Sequence, residues 1–182
     1  FSDRSSKDLF YGFGGTSEMY VSRDGGRNFY QKQPQETFPI CDFGYIDTAN
    51  KTEVRGEGGK TGIFYLALGD AGLYKFCYDT KTEEIRVKRL TDEGDACYRM
   101  GLGVIGEDSD YLTEEKAIYF CGRLDGEYGF YRTLDEGKSY ERLNQNNQMY
   151  GEINSMDGDK RKFGRFFLAT GSRGVLYGEM KR

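Results

Sequence analysis

The stretch Gly129-Phe130-Tyr131-Arg132-Thr133-Leu134-Asp135-Glu136-Gly137-Lys138-Ser139-Tyr140 decides the fold class. A short aromatic strand runs directly into the pattern Thr-x-Asp-x-Gly-x-x-Tyr, and residues 22–29 repeat it as Ser-x-Asp-x-Gly-x-x-Phe, 111 residues earlier and also after a strand. In such a turn the Asp side chain accepts backbone N–H bonds and the Gly takes a positive φ, while the last aromatic packs back on the strands. Two matches at the same place predict structural hairpin turns. The residues that define them are Ser22, Asp24, Gly26, Phe29, Thr133, Asp135, Gly137 and Tyr140.

Four segments of the chain share this strand–turn–strand pattern. The aromatics of the opening strands are Tyr11, Tyr65, Tyr119 and Phe167, spaced 54, 54 and 48 residues apart. The aromatics of the second strands, Tyr20, Tyr74, Tyr131 and Tyr177, keep roughly the same period. A period near 50 residues with paired short strands is typical of propeller blades. We therefore predict an all-β fold, with residues 1–182 forming a single partial β-propeller of about three to four blades. The repeats fall near residues 8–45, 60–92, 114–145 and 163–181.

Composition agrees with a many-stranded fold and excludes several functions. The 182 residues include 15 Tyr, 13 Phe and 26 Gly but only 2 Pro, as expected for short aromatic strands separated by turns. The net charge is −4 with acidic and basic residues well mixed, so no basic patch for nucleic acid is predicted. The longest apolar runs, such as residues 63–67, are about five residues and cannot span a bilayer. The G-x-G-x-x-G match at residues 101–106 precedes no helical pattern, and we interpret it as a chance match inside a strand.

The chain contains no His, which limits the chemistry it can perform. Ser-His-Asp and Cys-His mechanisms are excluded, so acid–base chemistry would need carboxylates, Lys or Tyr. No pair of cysteines has C-x-x-C spacing, and we predict neither a metal site nor a cofactor. We expect the cysteines to be small buried residues, although one or two disulfides stay open as an alternative. They are Cys41, Cys77, Cys97 and Cys121.

The two turn patterns resemble Asp-boxes, also called BNR repeats, which occur in propellers of sialidases, sortilin-type receptors and family 74 glycoside hydrolases. Residues 158–178, GDKRKFGRFFLATGSRGVLYG, resemble the closing segment of family 74 xyloglucanases, G-D-P-R-V-[FY]-G-R-V-Y-[LI]-G-T-N-G-R-G-I-[IL]-Y-G. Residues 10–13, leading into the first Asp-box, and residues 118–126, leading into the second, fit as well. The similarity covers the chain from about residue 8 to residue 179.

The resemblance implies both an architecture and an activity. Family 74 enzymes resemble two seven-bladed propellers facing each other across a glucan-binding cleft, and they cleave β-1,4-glucans, mostly xyloglucan, with inversion. Inversion needs two carboxyl groups roughly 6.5–9.5 Å apart. In the family these aspartates lie near the starts of the two propeller domains, whereas this chain resembles the last blades of the second. The resemblance thus implies an extracellular, plant cell-wall degrading parent enzyme, with the catalytic pair outside this chain.

Candidate glycan contacts lie in the loops between repeats, because loops at one rim carry function in such scaffolds. These candidates are Tyr45, Tyr98, Arg99, Asn147, Gln148 and Tyr150. Packing within a blade is the alternative for each tyrosine. Asp70, within Leu-Gly-Asp-Ala-Gly, is a weak catalytic candidate, and a turn role fits its position better. The absence of Trp departs from many glucan sites and puts some family sugar contacts in doubt.

Three functions stay open from the sequence. The chain is part of a family 74-like glucanase, inactive alone; or a stand-alone carbohydrate-binding module; or a sortilin-like protein-interaction propeller. Sortilin-like chains usually continue into a Cys-rich region, and this chain stops at Arg182, which disfavours the third. Four repeats leave sheet edges exposed. Self-association, pairing with an N-terminal remainder of the enzyme, or closure as a small propeller would each cover them.

Overall fold

A computed structural model describes residues 1–13, 18–36, 38 and 53–180, and in this part of the chain all regular structure is β. The strands form four separate antiparallel sheets. In chain order they are β1 (Phe10–Phe13), β2 (Met19–Ser22), β3 (Tyr30–Lys32), β4 (Glu53–Gly56), β5 (Ile63–Ala67), β6 (Leu73–Tyr78), β7 (Ile85–Arg89), β8 (Ala96–Val104), β9 (Lys116–Leu124), β10 (Glu127–Thr133), β11 (Glu141–Arg142), β12 (Ile153–Gly158), β13 (Arg165–Thr170) and β14 (Val175–Glu179). No helix of the described part is long and apolar enough to cross a membrane.

Each sheet is a simple meander whose strands follow one another in sequence. Sheet 1 is β1-β2-β3, sheet 2 is β4-β5-β6-β7, sheet 3 is β8-β9-β10-β11 and sheet 4 is β12-β13-β14. Residues 1–3 extend sheet 1 beside β1: the amino terminus donates to the Tyr11 carbonyl at 2.7 Å, and the Asp3 N–H donates to the Leu9 carbonyl at 2.9 Å. The first strands of sheets 2 to 4 contact one another, with β8 lying against β4 and β12. These strands are therefore innermost, and β3, β7 and β11 are outer strands.

The sheets stack face to face in chain order, with one apolar cluster at each of the three junctions. Because neighbouring side chains alternate between faces, one aromatic of a strand points to the next sheet and its neighbour points to the previous one. Tyr11 packs on Phe64 with ring centroids 4.6 Å apart, and Tyr119 packs on Phe166 at 5.8 Å. Tyr11, Tyr65 and Tyr119 are each no more than 2% exposed. This arrangement is that of consecutive propeller blades.

The strand registers correct the alignment of the second strands of the repeats. Tyr65 pairs with Lys75, and Phe167 pairs with Tyr177. Tyr177 is therefore equivalent to Lys75 rather than to Tyr74, and Leu176 takes the position of Tyr74 in sheet 4. The alignment by aromatic spacing is wrong by one residue in the fourth repeat, because the aromatic residue of its second strand, Tyr177, lies on the opposite face of the sheet.

The glycines of the inner strands allow the sheets to approach closely. A Cβ on Gly101 would lie 2.2 Å from the Cα of Asp157, and a Cβ on Gly158 would lie 2.7 Å from the Cα of Gly103. Real side chains would force β8 and β12 apart. The G-x-G-x-x-G match thus lies where β8 packs on β12, and its first two glycines sit within that strand as predicted.

Three of the four cysteines lie in the described residues, and no disulfide joins them. Cys97 belongs to the cluster between sheets 2 and 3, whereas Cys121 belongs to the cluster between sheets 3 and 4. The two thiols therefore lie on opposite faces of sheet 3. Cys77, on β6, is half-buried. Cys41 lies outside the described residues.

Candidate functional site

The turn between β5 and β6 is tied to the start of β8, and this joins two predicted site residues. The Gly69 N–H donates to the Cys97 carbonyl at 2.9 Å, and the Cys97 N–H donates back to the Gly69 carbonyl at 2.8 Å. This bridge between sheets 2 and 3 places Asp70 beside Tyr98. The two residues lie at the rim where the inner strand of sheet 3 begins.

Asp70, Tyr98 and Arg123 form a polar contact at this rim. The Tyr98 hydroxyl donates to the Asp70 Oδ1 at 2.9 Å, and the Arg123 guanidinium lies 3.5 Å from the same oxygen. Partial burial raises the pKa of Tyr98, and the hydrogen bond to Asp70 adds to that shift. The Asp70 side chain is 65% exposed and that of Arg123 is 40% exposed, so water screens their ion pair. Both retain capacity to bind a polar ligand.

Tyr128 completes an aromatic pair next to this contact. The rings of Tyr98 and Tyr128 lie 6.4 Å apart, inclined by 33°, and both residues are half-buried. The Tyr128 hydroxyl lies 2.8 Å from the Cys121 sulfur. Burial raises the pKa of Cys121 to about 11 and also raises that of Tyr128. At neutral pH the Cys121 thiol is therefore protonated and is not an activated nucleophile.

Arg99 was predicted as a glycan contact, and the structure places it beneath the rim. The residue is 7% exposed, its Nε donates to the Asn154 carbonyl at 2.9 Å, and a terminal nitrogen donates to the Tyr98 carbonyl at 2.5 Å. The pairing of β8 with β9 shifts register between Cys97 and Arg99, so Tyr98 is the extra residue of a bulge. Arg99 thus holds the backbone of that bulge and links it to sheet 4.

The predicted contacts at residues 147, 148 and 150 lie in the loop between β11 and β12. Asn147 is exposed, while the Gln148 side chain accepts from the Gln145 N–H at 2.9 Å and closes the turn. The Tyr150 ring stacks on Phe130 with centroids 6.3 Å apart and an angle of 3°. Asn147 and Gln148 are both exposed, whereas Tyr150 is half-buried. Tyr45 lies outside the described residues.

Asp24 closes the turn after β2. Its Oδ1 accepts from the N–H groups of Arg27 and Asn28 at 3.0 Å, and its Oδ2 accepts from the Asn28 side chain at 2.7 Å. These bonds, those of Asn28 first, hold the pKa of Asp24 well below its ordinary value. Gly26 has φ 85° and donates its N–H to the Ser22 hydroxyl at 3.0 Å. The Phe29 ring lies over Gly12, although it is 46% exposed.

Asp135 closes the corresponding turn after β10, and it also accepts from the backbone and side chain of the residue four positions further on. It accepts from the Ser139 hydroxyl at 2.6 Å and the Ser139 N–H at 2.9 Å, and these bonds lower its pKa to about 2. Gly137 has φ 84° and donates its N–H to the Thr133 hydroxyl at 2.9 Å. The Tyr140 ring packs edge-on against Phe120 at 5.8 Å. The contacts of both aspartates are those of turn closure.

The described residues show no group of three or more Cys, Asp or Glu side chains that could hold a metal ion.

Asp70 is the weak catalytic candidate from the sequence. General acids usually sit in apolar surroundings, whereas the Asp70 carboxylate is largely in solvent and engaged by Tyr98 and Arg123. A catalytic role for Asp70 stays a weak prediction, and its contacts favour a role at the rim.

Sequence reasoning missed Arg123 and Tyr128, which are the last but one residue of β9 and the second residue of β10. Both flank the turn at residues 124–127, which lies at the same rim as the loops between repeats. Their position in the repeat could have identified them, because turns between the second and third strands of a blade lie at the same rim as the loops that enter the blade.

The four sheets are meanders that stack face to face, and the first strands of sheets 2 to 4 lie innermost. This architecture defines the chain as a segment of a β-propeller. No model of a known protein family matches the chain. It is 33% identical over 180 residues to xyloglucanase Xgh74A of Acetivibrio thermocellus, which covers 98% of this chain and 19% of that protein. It is 29% identical over 186 residues to an oligoxyloglucan-reducing end-specific xyloglucanase of Emericella nidulans, covering 99% and 21%.

A solved structure of the family 74 xyloglucanase of Xanthomonas campestris superimposes with a TM-score of 0.73 at 24% identity, covering 98% of this chain and 23% of that one. The chain is thus similar over 98% of its length to a xyloglucanase, and its fold is that of a portion of a family 74 propeller. It spans about a fifth of the length of the curated relatives that it matches. The predicted fold class and family resemblance are confirmed.

Proposed function

We propose that the chain forms part of the glucan-binding wall of an extracellular xyloglucan-degrading hydrolase and supplies no catalytic carboxylate pair. The observation that carries this proposal is the similarity along 98% of the chain to a protein named a xyloglucanase. The extracellular location follows from the same family relationship. In this proposal the two turns closed by Asp24 and Asp135 are Asp-boxes, and their role is purely structural.

The rim formed by Asp70, Tyr98, Arg123 and Tyr128 supports glucan contact. A pyranose ring has apolar C–H faces and hydroxyl groups around its edge. The half-buried rings of Tyr98 and Tyr128 offer apolar surface, while the exposed carboxylate and guanidinium offer acceptors and donors to hydroxyl groups. Apolar surface with a few placed polar groups is the usual composition of a ligand site.

The open face of sheet 4 supports the need for a partner. Tyr65 and Tyr119 are 2% and 1% exposed because the next sheet covers them, whereas the equivalent Phe167 is 36% exposed and its neighbour Tyr177 is 68% exposed. An uncovered aromatic face of this kind marks an interface. In this proposal the remainder of the enzyme packs on it, and self-association of the chain is the alternative.

Affinity electrophoresis in gels that contain xyloglucan tests the proposed site. We expect xyloglucan to retard the wild-type chain and Tyr98→Ala to lose most of that retardation. Tyr30→Ala is the matched control, because Tyr30 is a 63% exposed tyrosine on sheet 1, away from the rim. Circular dichroism checks that both variants are folded.

Two results would count against the proposal. If the wild-type chain migrates equally with and without xyloglucan, it does not bind this glucan. If Tyr98→Ala and Tyr30→Ala reduce the retardation equally, the chain binds glucan but its binding site lies away from the rim.

A further inference from the structure

A bulge in β12 matches the bulge that presents Tyr98 in β8. The pairing of β12 with β13 shifts register between Ile153 and Ser155, so Asn154 is the extra residue of this second bulge. Bulges often lie next to functional sites, where they turn a side chain in a new direction. The side chain that the second bulge presents is therefore a candidate for the same function as Tyr98.

The strand registers show that the two bulges occupy the same place in their sheets. Cys97 pairs with Gly122 in sheet 3, and Ile153 pairs with Thr170 in sheet 4. Gly122 and Thr170 each lie three positions after the aligned aromatic residue of their strand, which is Tyr119 in β9 and the equivalent phenylalanine in β13. Both bulges follow directly, so their extra residues are equivalent in the two sheets.

A single guanidinium group joins the two bulges. The Nε of Arg99 donates to the Asn154 carbonyl at 2.9 Å, and a terminal nitrogen of the same side chain donates to the Tyr98 carbonyl at 2.5 Å. Because the guanidinium is planar and rigid, these bonds hold the two extra residues side by side at one rim. Arg99 is 7% exposed, so this link lies beneath the surface that the two side chains form.

The Asn154 side chain is available to a ligand. It is exposed, and its carboxamide makes no hydrogen bond within the part of the chain that the structure describes. Asn144 shows the contrasting case, since it is 8% exposed and its Oδ1 accepts from the Phe130 N–H at 2.8 Å. A carboxamide has two N–H donors and one acceptor oxygen, which suit the adjacent hydroxyl groups of a sugar.

We propose that Asn154 is a second glucan contact, which binds hydroxyl groups of a sugar beside the one that packs on Tyr98. This inference rests on the proposed function and extends the candidate site from sheet 3 onto sheet 4. The rim then holds a glucan in two ways: the Tyr98 ring contacts an apolar sugar face, and the Asn154 carboxamide bonds to a polar sugar edge. Apolar surface combined with a few placed polar groups is the usual arrangement of a binding site.

NMR of the isotope-labelled 182-residue chain, with a xyloglucan oligosaccharide as probe, tests this contact directly. The side-chain NH2 signals of Asn154 are assigned by their loss in Asn154→Ala. We expect them to shift as the oligosaccharide is added and to saturate together with the backbone amide of Tyr98. The NH2 signals of Gln31, an exposed carboxamide on β3 of sheet 1, should not shift.

Binding affinities of variants give a second measurement. Asn154→Ala should weaken binding of the same oligosaccharide by roughly threefold to tenfold, the usual effect of losing a hydrogen bond between neutral groups. The variant should fold normally, because the carboxamide makes no bond within the described part of the fold. Gln31→Ala is the matched control and should bind as the wild type does.

The possible failures can be told apart. A shift of the Tyr98 amide without a shift of the Asn154 NH2 signals would overturn this inference and leave the proposed glucan site standing. Equal affinities of Asn154→Ala and Gln31→Ala would overturn it as well. No shift at either rim residue at saturating oligosaccharide would contradict the proposed function itself, and this inference with it.

Discussion

Replacing Asp3 with Ala should destabilise the chain more than any surface change, because this buried carboxylate joins sheet 1 to sheet 2. Asp3 is 7% exposed, and its Oδ2 accepts from the Tyr11 hydroxyl at 3.0 Å and the Gly62 N–H at 2.8 Å. Its Oδ1 accepts from the Ser5 N–H at 2.8 Å. Leaving a buried donor unpaired costs ~1–3 kcal/mol, so the two buried donors together predict a loss of ~4 kcal/mol.

Urea unfolding at pH 7 measures this loss. With a urea dependence of ~1–3 kcal/mol per molar, the midpoint of Asp3→Ala should fall by roughly 1–4 M. Tyr11→Phe removes one donor and leaves the carboxylate with its other partners, so it should cost only ~1 kcal/mol. Asp3→Asn keeps one side-chain oxygen and should fall between the two.

A midpoint for Asp3→Ala within ~0.3 M of wild type would refute this reasoning, since a change of that size is typical of surface substitutions. It would mean that residues 1–3 do not hold sheets 1 and 2 together in solution. A loss for Tyr11→Phe as large as that for Asp3→Ala would place the stabilisation in the Tyr11 hydroxyl instead.

Three further predictions concern the turns, the bulge and the buried thiol. The lowered pKa of Asp135, about 2, stabilises the fold above the unfolded value of about 3.9, and this contribution should disappear as the pH falls from about 4 to 2. Unfolding midpoints against pH should show this fall, and Asp135→Asn should flatten it. Arg99→Ala should cost ~3 kcal/mol by thermal or urea unfolding, because it removes bonds from a charged donor to the Tyr98 and Asn154 carbonyls, and Arg99→Lys should recover less than half. Cys121, with a pKa of about 11, should resist a thiol reagent at pH 8 in the folded chain and react fully in urea, as read by peptide mass spectrometry.

The strands with paired aromatics could be predicted from sequence, whereas the inner strands could not. Aromatic residues identify β5 and β9 because each face of these strands packs on a neighbouring sheet. By contrast, β8 and β12 carry glycines where they pack together, as at Gly101 and Gly158, and the need for close approach removes the aromatic signal. The repeat period therefore predicts the number of sheets but does not locate the first strand of each sheet.

Only part of the candidate site could be predicted. Tyr98 and Asp70 were each singled out, but their hydrogen bond depends on the bridge between Gly69 and Cys97, a contact between sheets that no local pattern encodes. Arg99 was grouped with Tyr98 because they are adjacent in sequence. The bulge turns the two side chains to different surroundings, and its presence depends on how β8 pairs with β9.

The central claim is that this chain binds glucan without cleaving it, and one measurement tests this most directly. A homogeneous preparation of the 182-residue chain, with its native mass established, is incubated with xyloglucan, and released reducing ends are measured beside retardation in xyloglucan gels. We predict retardation with no reducing ends above a heat-treated control. Release of reducing ends that Asp70→Asn abolishes would contradict the claim and would place a catalytic carboxylate within this chain.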